Sequence, residues 1–418
     1  MRIAVVGAGV SGLVAAHLLH PEHEVTVFEA GGYAGGHTNT IAVEAANPTQ
    51  PPLAVDTGFI VFNDRNYPNF ERLLGRLGVT SQPSQMSFGV GDETGDFEYA
   101  STSPNGLYAK RAHLASPRFH RMVLDVRRFQ RAGRDLLVSD DDPSLASWLE
   151  EQRFSRDFID RLIVPQAAAV WSAAPAQMWT FPARFLVQFF DNHGMLDLRG
   201  RPRWRVVTGG SARYVEALTR PFADRIRLHT PVQRVRRDHD GVALTVRGAA
   251  EPERFDHLVL ATHADQALTI LGADATALER DLLGAFPYQP NEAVLHTDAS
   301  LLPRRRRAWA SWNYHLTGSP TGRPTVTYHM NRLQSLRDER QWCVTLNRTE
   351  AIDPASIVRT IQYAHPVYTQ RGARAQARVG EISTGRTHFC GAYWGWGFHE
   401  DGVVSALRVA RELGARVP

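Results

Sequence analysis

Cysteine, lysine and long apolar runs are scarce in this chain. Two cysteines among 418 residues, Cys343 and Cys390, supply neither a disulfide framework nor a zinc-ligand spacing, as expected of a reducing compartment, and no metal centre is expected. The longest uncharged apolar run, Ile3 to Ala16, is too short to span a bilayer, so no transmembrane helix is expected. That run could pass for the core of a secretory leader. However, its glycine spacing, its unbroken continuation into HEVTVFEA and the lack of a small-residue cleavage site fit a strand, turn and helix, and a cytoplasmic protein is expected. Lysine occurs once, as Lys110, so the pI near 9.2 reflects arginine while the net charge is only +4. No basic segment is interleaved with aromatics, which argues against a nucleic-acid binder.

Hydrophobic residues at 43% and charged residues at 22% describe a globular chain, long enough for two or three domains. The one strong charge cluster is Arg304, Arg305, Arg306 and Arg307. It reads either as a solvated loop or as an anion-facing patch for phospholipid headgroups or a phosphorylated carrier, and so as a point of peripheral membrane contact.

The opening RIAVVGAG, VSGLVAAHLL and HEVTVFEA spells strand, glycine turn, helix and strand, a βαβ unit. In GAGVSG, Gly7 permits the tight turn, Gly9 lets the backbone approach a pyrophosphate, and Gly12 lets helix and strand pack closely. The phosphates then sit at the positive end of the helix. Glu29 closes the second strand, where its carboxylate can accept both hydroxyls of an adenosine ribose and disfavours a 2′-phosphate. Residues from about Tyr67 to Leu198 are largely helical in pattern. Strand-turn-helix grammar returns at RWRVVTGGSARYVEAL, followed by a hairpin over RIRLHTPVQRVRRDHDGVALTVRG and a buried strand in FDHLVLATHADQAL. From about Gly272 to Arg378 strand-like segments alternate with turns. A short strand, an aromatic loop and a helix ending at Gly414 close the chain.

Past Glu29 stand a second glycine pair, Gly35 and Gly36, and near the end a glycine-bearing strand HFCGA leads through HEDGVVSAL into the last helix. With these features the chain resembles the flavin-containing amine oxidase, protoporphyrinogen oxidase and phytoene desaturase superfamily. In particular it resembles bacterial FAD-binding oxidoreductases that carry GGHTNT, VDTGFIVFN, NHGML and GFHEDG, proteins often encoded beside cyclopropane-fatty-acid-synthase-like methyltransferases. The resemblance implies FAD and an α/β, two-domain flavoprotein: a discontinuous Rossmann-like FAD-binding domain (1–66, 199–271 and 379–418) and a substrate domain of mixed sheet and helical insertion (67–198 and 272–378). It also implies cofactor contacts at Gly35, Gly36, Val232, Gly391, Asp401, Gly402 and Val403. Two departures stand out. Ala392 replaces an acid common after the strand glycine, and His37 replaces an arginine common after the second glycine pair, which leaves the pyrophosphate more to backbone N–H groups and the helix dipole.

Relatives that oxidise amines typically place a lysine near the flavin, and Lys110 lies in the helical insertion instead. The run FCGAYWGWGFHEDG brings aromatic residues, among them Trp394 and Trp396, to the expected flavin and suits a hydrophobic substrate. His399 is the candidate proton acceptor or substrate-orienting group, set against a structural histidine bonded to its loop. Asn192, His193 and Trp312, with Asn313, are substrate-channel candidates, set against ordinary buried polar groups. Asp56 is expected to orient a loop, and Cys390 to be an inert core thiol. The expected function is FAD-dependent hydride transfer that introduces or removes unsaturation in a hydrophobic substrate such as a fatty acyl chain. The alternatives are a peroxide-forming amine oxidase and a non-catalytic lipid-binding module of the same fold, the latter opposed by the complete phosphate-binding set.

Overall fold

The structure is a computed structural model that describes residues 1–197, 200–318, 322–383 and 385–416. A five-stranded parallel sheet runs in the order Ile226–Arg227, Glu24–Phe28, Arg2–Val6, His257–Leu260, Thr387–Phe389. Its strands alternate between two cores. Ile3, Val5, Val25, Val27 and Val259 face the helix Val10–Leu19 and the terminal helix His399–Glu412, whereas Ala4, Val6, Phe28, Leu258 and Leu260 face the other side. That other side is covered by a three-stranded antiparallel sheet, Val232–Arg237, Val242–Val246 and Glu253–Phe255, and by the helix Ala264–Leu271. With both faces covered, each of these side chains larger than alanine contributes roughly 1.5–3 kcal/mol by leaving water.

A second, seven-stranded sheet is ordered Ile357–Pro366, Tyr288–His296, Cys343–Leu346, Val326–His329, Trp312–Leu316, Phe88–Asp92, Glu98–Ala100. All neighbours are antiparallel except Trp312–Leu316 with Phe88–Asp92. Thus the stretch read as largely helical between Tyr67 and Leu198 also supplies two strands, Phe88–Asp92 and Glu98–Ala100, to this sheet; residue 198 lies outside the described residues. Helices Pro117–Val138, Leu145–Glu151, Val164–Trp171 and Ala183–Asn192 form the rest of the insertion and share one core with the front of the sheet. Helix Pro68–Leu77 lies elsewhere: its Phe70 and Leu74 pack in the core beside the parallel sheet.

The two faces of the second sheet differ in chemistry. Trp312, Tyr328 and Leu346 point forward. On the back, His296 Nε2, Thr345 Oγ1, Thr327 Oγ1 and His315 Nε2 form a hydrogen-bonded row across four strands, with links of 2.7, 2.8 and 2.8 Å. The Asp298 amide donates to His296 Nδ1 at 3.1 Å, so the proton of this neutral ring is on Nε2 and is donated to Thr345 Oγ1.

Candidate functional site

A cavity of about 710 Å³ opens between the parallel sheet and the front of the second sheet. Its walls come from the glycine turn (Gly7, Gly9, Ser11), the segment Gly35–His37, the start of the strand at Val232, the second sheet (Trp312, Tyr328, Tyr363, His365) and the loop before the terminal helix (Gly391–Tyr393, Gly397–His399). Although the chain is rich in arginine, no arginine or lysine lines the cavity among the described residues, and Glu29 is the single carboxylate among them.

The glycines serve different purposes. Gly7 has φ +104°, and a Cβ there would press on the Ala261 carbonyl at 2.8 Å. A Cβ at Gly12 would overlap the Gly7 carbonyl oxygen and touch Ala261 Cβ at 3.0 Å, so the third glycine is needed for packing. Gly9 is the reverse case: a Cβ there meets nothing within 4 Å, so the turn presents open space above the helix N-terminus. Gly36, with φ +60°, closes on that space, since a Cβ there would lie 3.1 Å from Gly9 Cα; the Gly35 amide donates to the Ala8 carbonyl at 2.7 Å. An uncovered backbone at a helix start, walled by a second glycine pair, is a fit for a dinucleotide pyrophosphate.

Glu29 stands at the end of this groove, where its two oxygens accept the Ala8 and Gly31 amides at 2.8 and 2.7 Å, and each retains a lone pair for a ribose hydroxyl. Glu29→Ala is therefore expected to raise the dissociation constant for the cofactor about 10- to 100-fold, the worth of one or two charge-assisted hydrogen bonds. Retention of the cofactor by the purified variant through dialysis, equal to that of the parent, would contradict the ribose role.

His399 begins the terminal helix, and three distant segments immobilise it. Its Nε2 is hydrogen-bonded to Thr38 Oγ1 at 3.0 Å and to Tyr214 OH at 2.9 Å, and its ring stacks on Phe59. Burial holds its pKa well below the ordinary histidine value. A neutral ring whose Nε2 is already occupied is a poor proton acceptor at that nitrogen, and these bonds hold the ring in a fixed position in the cavity lining. Thr38 and Tyr214 were missed in the sequence; each is one ordinary hydroxyl, brought here from 361 and 185 residues away from His399. The neighbouring acids are also committed. Glu400 accepts the Asn69 and Phe70 amides at 3.0 and 2.9 Å, capping helix Pro68–Leu77. Asp401 accepts the Phe398 amide at 2.9 Å, and burial raises its pKa to about 7.

The remaining sequence candidates divide. Val232, Gly391, His37 and Trp312 line the cavity, and Trp312 Nε1 is buried without a partner. Asp401, Gly402 and Val403 do not line it. Gly402 instead allows the terminal helix to lie against Val10 and Ser11, and the cavity edge at this end is Gly397, Phe398 and His399. Asn192 is exposed at a helix end, and His193 is buried with Nδ1 against the Phe189 carbonyl at 2.9 Å; neither reaches the cavity. Trp394 packs on Phe286 and Tyr393, and Trp396 on Phe185, behind the wall. Asn313 faces the back of the sheet and bonds the Ala310 backbone. Asp56, fully buried, ties Ser211 and Gln334 together, which is the loop-orienting role expected of it. Lys110 is far from the cavity, paired with Asp96 at 2.9 Å. Cys390 is fully buried, and burial pushes its thiol up to about 12, so it is inert.

Unforeseen in the sequence is a cluster of neutral aromatic bases. His37 lies between Tyr363, stacked at 4.8 Å, and His365 at 5.1 Å, with His263 at 6.1 Å. Burial lowers their pKa values to about 4 for His37 and His263 and to about 3 for His365. Asn291 Nδ2 donates to His365 Nδ1 at 2.9 Å, which leaves the ring proton on its Nε2. His37 Nε2 is buried with no partner.

Comparison with known proteins bears on this site. The sequence profile of the family described as flavin containing amine oxidoreductase matches residues 10–295. No curated protein sequence matches the chain. Among solved structures, cyclohexylamine oxidase from Brevibacterium oxydans is similar over 99% of both chains at 18% identity with a TM-score of 0.67. Putrescine oxidase with bound putrescine is similar over 100% of both at 17% identity and a TM-score of 0.64. A CLA-producing fatty acid isomerase from P. acnes is similar over 98% of both at 16% identity and a TM-score of 0.67. These structural likenesses establish the fold. The profile spans well over half of the chain and includes the helix of the dinucleotide turn, and on that ground the chain belongs to the flavin-containing amine oxidoreductase family and is an FAD-dependent oxidoreductase.

Proposed function

We propose that this oxidoreductase acts on a fatty acyl chain or a comparably apolar substrate, introducing or removing a carbon–carbon double bond. The observation that carries this reading is the cavity lining. Beyond the glycine turn it includes the apolar Ile60, Val61, Val170, Trp312, Tyr328 and Leu346 beside neutral polar groups such as Ser172, Gln362, Tyr363 and His365, and Glu29, its one carboxylate among the described residues, is held at the ribose end by two backbone amides. A protonated amine would find no counter-charge here, while an alkyl chain loses nothing by desolvation. FAD supplies the acceptor for the hydride. The protein supplies the rest: apolar side chains along the wall, the unpartnered Trp312 indole N–H and Tyr393 hydroxyl as donors for a carbonyl oxygen, and the unpartnered Nε2 of the neutral His37 as a polar atom beside the cavity.

The amine oxidase reading is supported by the fold shared with cyclohexylamine oxidase and putrescine oxidase and opposed by the missing counter-charge. Anaerobic titration of the purified flavoprotein separates the two. Bleaching of the flavin bands by acyl lipids and not by amines is the expected result. Bleaching by amines alone, with stoichiometric hydrogen peroxide in air, would overturn the acyl reading. A protein that cannot be loaded with FAD would leave only the lipid-binding alternative.

A further inference from the structure

The first half of the arginine run that drew attention in the sequence is folded onto the protein, while the side chains of Arg306 and Arg307 stay exposed. The amides of Arg304 and Arg305 and the Arg305 guanidinium are all engaged by the buried carboxylate of Glu98, Arg304 Nη2 donates to the Glu93 carbonyl, and Arg306 lies over the Trp309 ring. A different surface presents free cationic charge. The 22-residue helix Pro117–Val138 contains six arginines and two aspartates, a formal charge of +4 that equals the net charge of the whole chain.

One face of this helix is anchored in the core by Phe119, Met122, Phe129 and Leu136. The opposite face is open. At its centre Leu124 is 58% exposed, with Arg121, Arg127 and Arg128 one turn away and Arg131 at the next turn on the same side. Val138, 88% exposed, ends the same stripe, and Leu114, 56% exposed, precedes the helix in the adjoining turn. Arg121 and Arg128 share the buried Asp125, so the trio keeps one positive charge, while Arg127 and Arg131 make no ion pair or hydrogen bond. Within the helix, among the described residues, Asp135 is the one exposed acid; the exposed Asp140, Asp141 and Asp142 follow its C-terminal end beyond Val138. Apolar side chains standing clear among unpaired arginines are costly in water and match a surface that offers anionic headgroups above hydrocarbon.

We propose that the arginine-rich centre of the exposed face of helix Pro117–Val138 docks the protein on an anionic phospholipid surface, with Leu124 entering between headgroups. The docking does not depend on the acyl-substrate reading, since the charge and the exposed leucine are present whatever the cavity binds. It is reversible, because the apolar area inserted is small and the attraction is screened by salt.

Sedimentation of the FAD-loaded protein with vesicles tests this directly. Binding is expected to vesicles of phosphatidylglycerol and phosphatidylcholine in equal parts, not to phosphatidylcholine alone, and to be lost in high salt. The double variant Arg127→Glu/Arg131→Glu is expected to lower the partition coefficient at least about tenfold, and Leu124→Ser to lower it to a smaller extent. Arg306→Glu/Arg307→Glu should bind like the parent. An unchanged flavin spectrum and circular dichroism show that each variant is folded. Absence of binding to the anionic vesicles, equal binding to both vesicle types, or loss of binding only in the Arg306/Arg307 variant would overturn the proposal. So would capture by DNA or an acidic polypeptide without any capture by vesicles.

Discussion

Between pH 7 and pH 5 the protein is expected to lose about 10 kcal/mol of folding stability, a quantity comparable to the whole stability of an ordinary protein. Seven histidines account for it. Burial lowers His37, His193, His263 and His296 to about 4, His315 and His365 to about 3, and His399 well below its ordinary value. Each stays neutral in the folded chain while its unfolded counterpart takes up a proton near pH 6.5. The stabilisation is therefore present above that pH and is lost as the pH falls toward the folded values. At pH 5 each of the first six contributes a loss of roughly 2 kcal/mol, about 12 in all, and His399 adds to it in the same direction. Asp56 and Asp401 work in the opposite sense. Burial raises them to about 6 and about 7, so the folded state binds their protons first, and acidification returns roughly 3–4 kcal/mol. Thermal unfolding followed by circular dichroism should show Tm lower by more than about 10 °C at pH 5 than at pH 7. A change of only a few degrees would mean that the histidines are hydrated or paired when folded.

The second large effect concerns two alanines three residues apart. Gly9→Ala should fold like the parent, because its φ of −77° suits any residue and its Cβ meets nothing within 4 Å. It should nevertheless lose FAD affinity by at least about 100-fold, since the methyl group occupies the space through which the backbone meets the pyrophosphate. Gly12→Ala should fail earlier. Its Cβ would overlap the Gly7 carbonyl, and Gly7 cannot retreat because its amide is bonded to the Phe28 carbonyl at 2.8 Å; the cost is about 3 kcal/mol or more. Flavin content and Tm, measured side by side, separate the two. A Gly9→Ala protein that keeps its flavin would place the cofactor elsewhere, and a Gly12→Ala protein as stable as the parent would show that the turn is looser than this packing.

The parts of the site legible in the sequence are those in which neighbouring residues act together. Gly7, Gly9, Gly12 and Glu29 belong to one βαβ unit, and their spacing alone states what the backbone must do. The strands Phe88–Asp92 and Glu98–Ala100 were hidden because glycines and turn residues interrupt a short alternation, and their place is set by pairing with Trp312–Leu316. The hold on His399 is invisible for another reason: Thr38, Phe59 and Tyr214 reach it from three remote segments. Charge is also read differently along the chain and on the surface. Of four consecutive arginines the first two are tied to one buried glutamate, whereas the arginines at 121, 127, 128 and 131 stand apart in the chain and together on the helix.

The polar row behind the second sheet bears on how this protein can diversify. A strand that slipped by one residue would exchange its forward and rear side chains, and every link from His296 to His315 would break with it. Register is thus guarded from the side opposite the large cavity. Trp312, Tyr328 and Leu346, adjoining Asn313, Thr327 and Thr345 on the same strands, are free to drift in size and polarity while the backbone beneath them stays in place. A lineage could then change what the cavity accepts by single forward-facing substitutions, inheriting an unaltered frame each time.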